Sequence, residues 1–118
     1  MAWKVVFYET EAGESPVWDF ILNLPAKDQA KVVRALDLLE EFGLELRAPY
    51  VRSVTGRRKL WELRVRGIGG AYHILYFAFT GQRMVVLHAF AKKTQKTPRR
   101  EIAMAERRMA EFLRRYEP

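Results

Sequence analysis

The chain has 118 residues, of which 49% are hydrophobic and 30% charged. This is the size and composition of one folded domain, and it excludes a disordered chain. With no cysteine and two histidines, the sequence excludes disulfides, thiolate zinc sites and a cysteine nucleophile. No apolar run approaches the roughly 20 residues of a membrane span, and no signal-peptide cleavage site follows the N-terminus. We expect a single cytoplasmic domain over residues 1–118.

Positive charge is concentrated in the second part of the chain. Residues 1–50 hold five Lys or Arg against nine Asp or Glu, a net charge of −4. Residues 51–118 hold sixteen against five, a net charge of +11. Such a surface attracts polyanions, with nucleic-acid phosphates the first candidate and an anionic membrane surface the second. A basic face that only keeps the protein soluble is the remaining alternative.

The first part of the chain predicts a strand and two helices. The β-branched and aromatic run at residues 4–9 is typical of a strand. Ser15 and Pro16 predict the start of a helix that Pro25 ends, because a hydroxyl caps free N–H groups and proline suits the first helical turn. A second apolar stripe at helical spacing stops before Gly43. Two antiparallel helices joined by a tight turn are therefore expected.

A loop without periodicity follows the second helix, with a short strand predicted near residues 50–54. Over residues 60–66 apolar and polar side chains alternate, which is typical of a half-exposed strand. Glu62, Arg64 and Arg66 are therefore expected on an exposed polar face.

The remaining residues predict a hairpin and a last helix. Residues 71–80 and 84–92 are nearly continuous apolar runs, which is typical of strands in the middle of a sheet. Thr97 is expected to cap the last helix, with Pro98 at its first position. The order β-α-α-β-β-β-α predicts an α+β fold in which helices pack on a twisted, mainly antiparallel sheet.

The sequence lacks the glycine-rich phosphate loops, metalloprotease and serine-hydrolase signatures, and acidic metal-binding clusters of common hydrolases. We therefore expect neither a cofactor nor a metal. Basic and polar residues instead collect at the ends of the meander strands, where neighbouring antiparallel strands bring them together. They are Arg57, Arg58, Lys59, Arg64, Arg66, His73, Lys92, Lys93 and Lys96.

A surface of this kind suits RNA cleavage without a metal. The ribose 2′-hydroxyl is a built-in nucleophile, so the reaction needs a base, cations that stabilise charge on the phosphorane, and an acid for the leaving 5′ oxygen. Crowded cations lower the pKa of a lysine. Proton exchange near neutral pH is therefore a hypothesis for Lys59, Lys92, Lys93 and Lys96.

Several of these residues also have purely structural interpretations. His73 shares a strand face with apolar residues, where histidine is more often a core residue than a catalyst. Arg64 would alternatively pair with Glu62 or Glu101. Because Lys92 and Lys93 alternate across the strand, only one of them is expected to face a site.

Aromatic and arginine side chains elsewhere leave similar alternatives open. Tyr50, Tyr72 and Tyr76 would stack on bases if exposed, but aromatic residues in a central strand are usually part of the packing. The arginines of the last helix are expected to be solvated or to bind a partner. They are Arg107, Arg108, Arg114 and Arg115.

Several segments resemble one protein family. They are LWELR at 60–64, AYHILYF at 71–77, HAFAKKTQKTPRREIAMAERRM at 88–109, and ESPVWDFILNLP at 14–25. These segments are similar to the phage-derived, HigB-like branch of the RelE/ParE toxin superfamily. The resemblance covers nearly the whole chain, and the block from Phe90 to Pro98 is its most distinctive part.

The resemblance implies a RelE/ParE-like fold and a toxin of a type II toxin–antitoxin system. For HigB and RelE members it implies an mRNA interferase that cuts mRNA in the ribosomal A site. ParE members instead poison DNA gyrase, and a noncatalytic nucleic-acid-binding remnant is a further alternative. The resemblance also implies a neutralising antitoxin, usually a helix-turn-helix protein. It leaves the oligomeric state open.

Carried over by position, the resemblance places Arg64, Lys92 and Lys93 at the site. The family's second meander strand commonly carries an arginine that contacts the scissile phosphate, and this chain has His73 there. Histidine would act as acid, base or weaker phosphate ligand, or the activity would be reduced. The segment after Lys96 also lacks a tyrosine that some RelE members use. Catalytic roles are predicted for Lys59, Arg64, His73, Lys92 and Lys93, and RNA-binding roles for Arg57, Arg58, Arg66 and Lys96.

Overall fold

The computed structural model describes residues 3–54, 56, 59–92 and 97–116. Within them the elements are strand β1 (Lys4–Phe7), helix α1 (Pro16–Leu22), helix α2 (Ala26–Phe42), a 3-10 turn (Gly43–Glu45), strands β2 (Val51–Ser53), β3 (Trp61–Arg66), β4 (Ala71–Phe79) and β5 (Arg83–Lys92), and helix α3 (Arg99–Tyr116). This order confirms the α+β prediction, including the short strand near residues 50–54.

The five strands form one open sheet in the order β1-β5-β4-β3-β2. The β2, β3, β4 and β5 pairings are antiparallel, as predicted, whereas β1 lies parallel to β5 at the sheet edge. On the outer side of β1, the Val5 N–H donates to the Glu40 carboxylate at 2.8 Å. The Glu40 side chain of α2 thus accepts a hydrogen bond from an N–H group that this edge strand would otherwise leave unpaired.

Helices cover both faces of the sheet. Tyr72, Ile74 and Tyr76 of β4 belong to the core beneath α1 and α2. The alternate residues of β4, such as Leu75 and Phe77, belong to a second core beneath α3. A strand buried on both faces needs apolar residues at every position, which is why β4 and β5 have nearly continuous apolar sequences.

Helix α3 packs most closely at the end of the sheet where β4 finishes. The Phe112 ring lies 5.1 Å from the Phe79 ring and 5.9 Å from the Phe77 ring, measured between centroids. We call the sheet surface that carries these contacts the α3 face. At its opposite end Arg64 and Arg66 are exposed, so this end of the α3 face is accessible from solvent.

Two predicted helix caps are wrong. Ser15 precedes α1 as predicted, but its side chain makes no capping hydrogen bond. Its hydroxyl is buried, with no partner among the described residues. Helix α3 begins at Arg99, one residue later than predicted, and the Thr97 hydroxyl donates to Glu62 at 2.9 Å. The hydrogen bond that the structure gives the Thr97 side chain thus runs to β3 and not to the first turn of α3.

A buried carboxylate fastens α2 to the turn between β3 and β4. Asp28 accepts hydrogen bonds from the N–H groups of Ile68 and Gly69, at 2.7 and 2.8 Å, and from the Tyr72 hydroxyl. These bonds, that of Tyr72 above all, hold the pKa of Asp28 below its ordinary value. A Cβ atom at Gly67 would lie 2.5 Å from the carboxyl group, so the turn requires glycine there.

Candidate functional site

Strand register brings four of the predicted site residues to one end of the α3 face. Arg64 on β3 lies opposite His73 on β4. One row beyond, Arg66 lies opposite Ala71, which in turn lies opposite Lys92 on β5. Paired residues of neighbouring strands point to the same face of a sheet. The antiparallel meander therefore assembles a basic cluster from positions that are up to 28 residues apart in the sequence.

A cleft of about 300 Å³ opens at this cluster. It lies along β3 and β4, beside the loop that leads into β2, and we call it the β3–β4 cleft. Its lining consists of Pro49, Tyr50, Arg64, Val65, Arg66, Ala71 and His73. Three of the predicted site residues thus surround one space that could hold a phosphate and its sugar.

Glu62 is buried next to the cleft, which contradicts the prediction of an exposed polar position. Its carboxylate accepts hydrogen bonds from Arg52 at 2.8 Å and from Thr97 at 2.9 Å. His73 Nδ1 lies 3.2 Å from its Oε2. The alternation along β3 correctly places Glu62 on the α3 face, but the carboxylate is buried there and Arg52, Thr97 and His73 supply its polar contacts.

The pKa of Glu62 is lowered to about 2. Burial of the carboxyl group acts in the opposite direction, but the contacts with His73, Thr97 and Arg52 outweigh it. Glu62 is therefore ionised at neutral pH and is a poor proton acceptor. Its carboxylate holds the Arg52 and Thr97 side chains by hydrogen bonds and lies close to the His73 ring.

His73 combines features of a core residue and a site residue. It is only 4% exposed, and its ring stacks on Phe90 with 5.7 Å between the centroids. The same ring lines the β3–β4 cleft. Although Nδ1 is close to Glu62, it has no hydrogen-bond partner of acceptable geometry among the described residues. The ring is therefore packed between the core and the cleft, with its buried Nδ1 facing the Glu62 carboxylate.

Lys92 is the lysine of this basic cluster that lies within the described residues. It is half-buried, and burial lowers the pKa of its ammonium group. Glu62 opposes this effect, whereas Arg52 and Arg64 lower the pKa further. The predicted direction is confirmed, although burial contributes more than the neighbouring cations. A lysine of this kind transfers protons closer to neutral pH than an exposed one.

Arg64 is exposed and forms no ion pair with any described residue. The two glutamates considered as its partners are engaged elsewhere. Glu62 binds Arg52, and Glu101 lies 2.6 Å from Nε2 of His88. The ion-pair interpretation of Arg64 is therefore wrong, and its guanidinium group is available for a ligand in the cleft.

The remaining predicted site residues do not join the cluster in the described structure. Lys59 is exposed and precedes the Trp61 end of β3, whereas the cluster lies at the Arg66 end. At about 3.3 Å per residue, the two ends of β3 are roughly 17 Å apart. Arg57, Arg58, Lys93 and Lys96 lie outside the described residues.

The structure also describes the aromatic and arginine residues for which alternatives were open. Tyr72 and Tyr76 are buried, whereas Tyr50 is 48% exposed. Arg108 donates to the Leu87 carbonyl at 2.9 Å, and Arg115 donates to the Glu9 carbonyl at 2.6 Å. These two arginines thus fasten α3 within the fold. The other two, Arg107 and Arg114, are exposed.

A comparison with known protein families identifies the family of this chain. Residues 19–110 match the family model described as Phage derived protein Gp49-like (DUF891). The chain belongs to this family. The Gp49-like family is a RelE/HigB-type toxin family of toxin–antitoxin systems, related to RelE-type toxins with nuclease activity. Membership in such a family implies an antitoxin partner.

No curated protein matches the Gp49-like chain significantly. Within the residues that the structure describes, no helix is long and apolar enough to cross a bilayer. The same residues contain no group of three or more His, Asp or Glu side chains that could hold a metal ion.

Proposed function

We propose that this Gp49-like chain is the toxin of a type II toxin–antitoxin pair, with a RelE/ParE-like fold and the activity of the HigB-like branch. In this proposal it is a ribosome-dependent endoribonuclease that cuts mRNA in the β3–β4 cleft. The observation that carries the proposal is the convergence of Arg64, His73 and Lys92 on one accessible end of the α3 face.

The proposed reaction uses the RNA's own nucleophile. The 2′-oxygen attacks the adjacent phosphorus as its proton leaves, the bond between phosphorus and the 5′ oxygen breaks, and that oxygen takes up a proton. The products are a 2′,3′-cyclic phosphate and a 5′-hydroxyl. Such a reaction requires proton transfer and stabilisation of negative charge, and side chains supply both.

The described residues divide these tasks according to their environments. Arg64 is exposed and unpaired within the described structure, so it binds the phosphate and stabilises its developing charge. Lys92 has a pKa lowered by burial, so it is the first candidate for proton transfer. His73 lines the cleft and is the second candidate. Arg66 contributes further positive charge to RNA binding.

Glu62 acts as a positioning residue in this proposal. It anchors Arg52, whose side chain remains 44% exposed and can still contact RNA. It also fixes Thr97, the residue that leads into α3. A buried, ionised anchor of this kind keeps the cationic side chains in place before substrate arrives, so little reorganisation is needed during the reaction.

Two alternatives remain as outcomes to test. A noncatalytic RNA-binding role is favoured by the burial of His73, which stands where the family commonly has a phosphate-binding arginine. Poisoning of DNA gyrase is the activity of ParE members of the same superfamily. In each case we propose a helix-turn-helix antitoxin as the neutralising partner.

The proposal is tested by adding the purified chain to a cell-free translation reaction and mapping new mRNA 5′ ends. We expect clustered cuts within reading frames, and none when ribosomes are omitted. A 2′-O-methyl group at a mapped cut site should block that cut. Intact mRNA with a folded protein would contradict the proposal, and breaks in DNA in the presence of gyrase would establish the ParE-like alternative.

A further inference from the structure

Tyr50 stands at the point where the edge of β3 becomes free. Strand β2 pairs with residues 61–63 of β3, and the Tyr50 carbonyl then accepts the N–H of Arg64 at 2.8 Å. No described strand pairs with Val65 and Arg66 on that side. The Tyr50 ring is 48% exposed at this position, whereas Tyr72 and Tyr76 are buried.

A second cleft adjoins the first one across Tyr50. It has a volume of about 420 Å³ and lies between α2 and β3, and we call it the α2 cleft. The two clefts share Tyr50, Arg64, Val65 and Arg66. A continuous surface therefore leads from His73, around the free edge of β3, to helix α2, with an aromatic ring between its two halves.

The α2 cleft is positively charged on both sides. Lys31 and Arg34 line it from α2, and Arg64 and Arg66 line it from β3. Lys31 and Arg34 are three residues apart, so they lie on one face of the helix, and both are exposed. No acidic residue is among the described residues that line either cleft.

We propose that the α2 cleft is a second nucleotide subsite for single-stranded RNA and that Tyr50 stacks on a base between the two subsites. Lys31 and Arg34 then hold the phosphate next to the scissile one. An exposed aromatic ring beside a row of cations is the combination that binds single-stranded nucleic acid without sequence preference. This inference rests on the proposed function, because it assumes that RNA occupies the β3–β4 cleft.

The stacking contribution is tested in the ribosome-dependent cleavage reaction with Tyr50→Phe and Tyr50→Leu. Phenylalanine keeps the aromatic face and leucine removes it. We expect Tyr50→Phe to keep kcat/KM within about threefold and Tyr50→Leu to lower it by roughly 10- to 100-fold, the range for loss of one stacked base. With 2-aminopurine in the mRNA beside the cut site, the wild type and Tyr50→Phe should quench its fluorescence and Tyr50→Leu should not.

The phosphate contact is tested with the double variant Lys31→Ala and Arg34→Ala. Its matched control is Arg107→Ala with Arg114→Ala, which removes two exposed charges from α3. We expect kcat/KM to fall roughly 10-fold or more for the α2 pair and to change less than about threefold for the control. Equal losses in both pairs would overturn a specific role for the α2 cleft.

The outcomes separate this inference from the proposed function. A folded wild-type chain that cuts no mRNA contradicts the proposed function and the inference together. A wild-type chain that cuts, with Tyr50→Leu as active as wild type, contradicts the inference alone. Loss of antitoxin binding in Tyr50→Leu with unchanged cleavage would also overturn it, because the α2 cleft would then serve a protein partner.

Discussion

Two buried carboxylates, Asp28 in the first turn of α2 and Glu62 beside the start of α3, have different partners. Asp28 accepts its three hydrogen bonds from uncharged donors, namely two backbone N–H groups and the Tyr72 hydroxyl. Glu62 contacts a guanidinium group, a hydroxyl group and an imidazole ring. The first carboxylate closes a turn, and the second borders a cleft.

The difference shows that burial of a charge does not by itself mark a functional site. Both carboxylates have lowered pKa values and both are inaccessible to solvent. What distinguishes Glu62 is that all of its partners are side chains, of which His73 lines the β3–β4 cleft and Arg52 is 44% exposed. Uncharged backbone donors fix a fold, whereas cationic side-chain donors held near solvent can also serve a ligand.

The largest loss of activity is expected from substitutions at Lys92, whose ammonium group is influenced by Glu62. Lys92→Met removes the charge, and Lys92→Arg keeps the charge but cannot exchange a proton at neutral pH. We expect both variants to lose roughly 10²- to 10⁴-fold in the single-turnover rate of mRNA cleavage. In the wild type, this rate should rise with pH as Lys92 loses its proton, below the ordinary pKa of 10.5.

An active Lys92→Arg variant would show that only the positive charge at position 92 matters. Proton transfer would then have to be assigned to His73 or to a residue outside the described structure.

Removing a hydrogen bond to Asp28 should lower the stability of the fold without changing the cleavage activity. Tyr72→Phe removes a buried hydrogen bond to an ionised carboxylate, so we expect the free energy of unfolding in urea to fall by about 1.5–3 kcal/mol. The cleavage rate of the folded variant should be unchanged. Tyr50→Phe is a control of the same chemistry at an exposed position. A cleavage defect in Tyr72→Phe without loss of stability would remove the distinction between the two regions.

The contribution of Glu62 to the free energy of unfolding should be lost over a defined range of acid pH. The folded pKa of Glu62, about 2, lies below the ordinary value of 4.5, so its ionised form stabilises the fold above pH 4.5. This stabilisation is lost as the pH falls from 4.5 towards 2. We expect it to amount to about 1–2 kcal/mol, because solvent screens the half-exposed Arg52 partner.

The measurement is the free energy of unfolding of wild type and Glu62→Gln between pH 7 and 2. The variant should be less stable at pH 7 and should depend less steeply on pH below 4.5. The remaining acid dependence includes Asp28, whose pKa is also lowered. Parallel curves for the two proteins would show that Glu62 is not held ionised by its partners.

The smallest effect is expected at Thr97, at the start of the α3 segment. Thr97→Val removes one hydrogen bond to Glu62 and should cost about 1 kcal/mol of unfolding free energy. Cleavage should fall only a few-fold, because Arg52 still holds the carboxylate. Thr97→Ser retains a hydroxyl and should restore both properties. A Thr97→Val variant as stable and as active as wild type would show that the hydrogen bond to Glu62 contributes to neither property.

Local sequence patterns were sufficient to predict most elements of the fold. The apolar stripes of α1 and α2 and the continuous runs of β4 and β5 gave their correct positions, since these patterns reflect local burial. The parallel pairing of β1 with β5 was not predicted, because strand partners are chosen by contacts about 80 residues apart in the sequence. The hydrogen bond from Thr97 to Glu62 was not predicted for the same reason, since the two residues are 35 apart in the sequence.

The candidate site was predicted in part. The alternation along β3 and the antiparallel meander were enough to bring Arg64, His73 and Lys92 together. Arg52 was missed because β2 is only three residues long and has no clear period. The burial of Glu62 was missed because a strand pattern shows which face a side chain takes but not what covers that face. The one sequence feature that could have indicated the burial of Glu62 is its position in a strand between Trp61 and Leu63.

The most direct test of the account compares Arg64→Ala with Arg107→Ala in the ribosome-dependent cleavage of mRNA. Both changes remove one exposed arginine, the first from the β3–β4 cleft and the second from α3. We expect Arg64→Ala to lose roughly 100-fold or more in cleavage rate, with unfolding free energy unchanged, and Arg107→Ala to stay within about threefold of wild type. Cleavage by Arg64→Ala at the wild-type rate would contradict a role of Arg64 in the β3–β4 cleft.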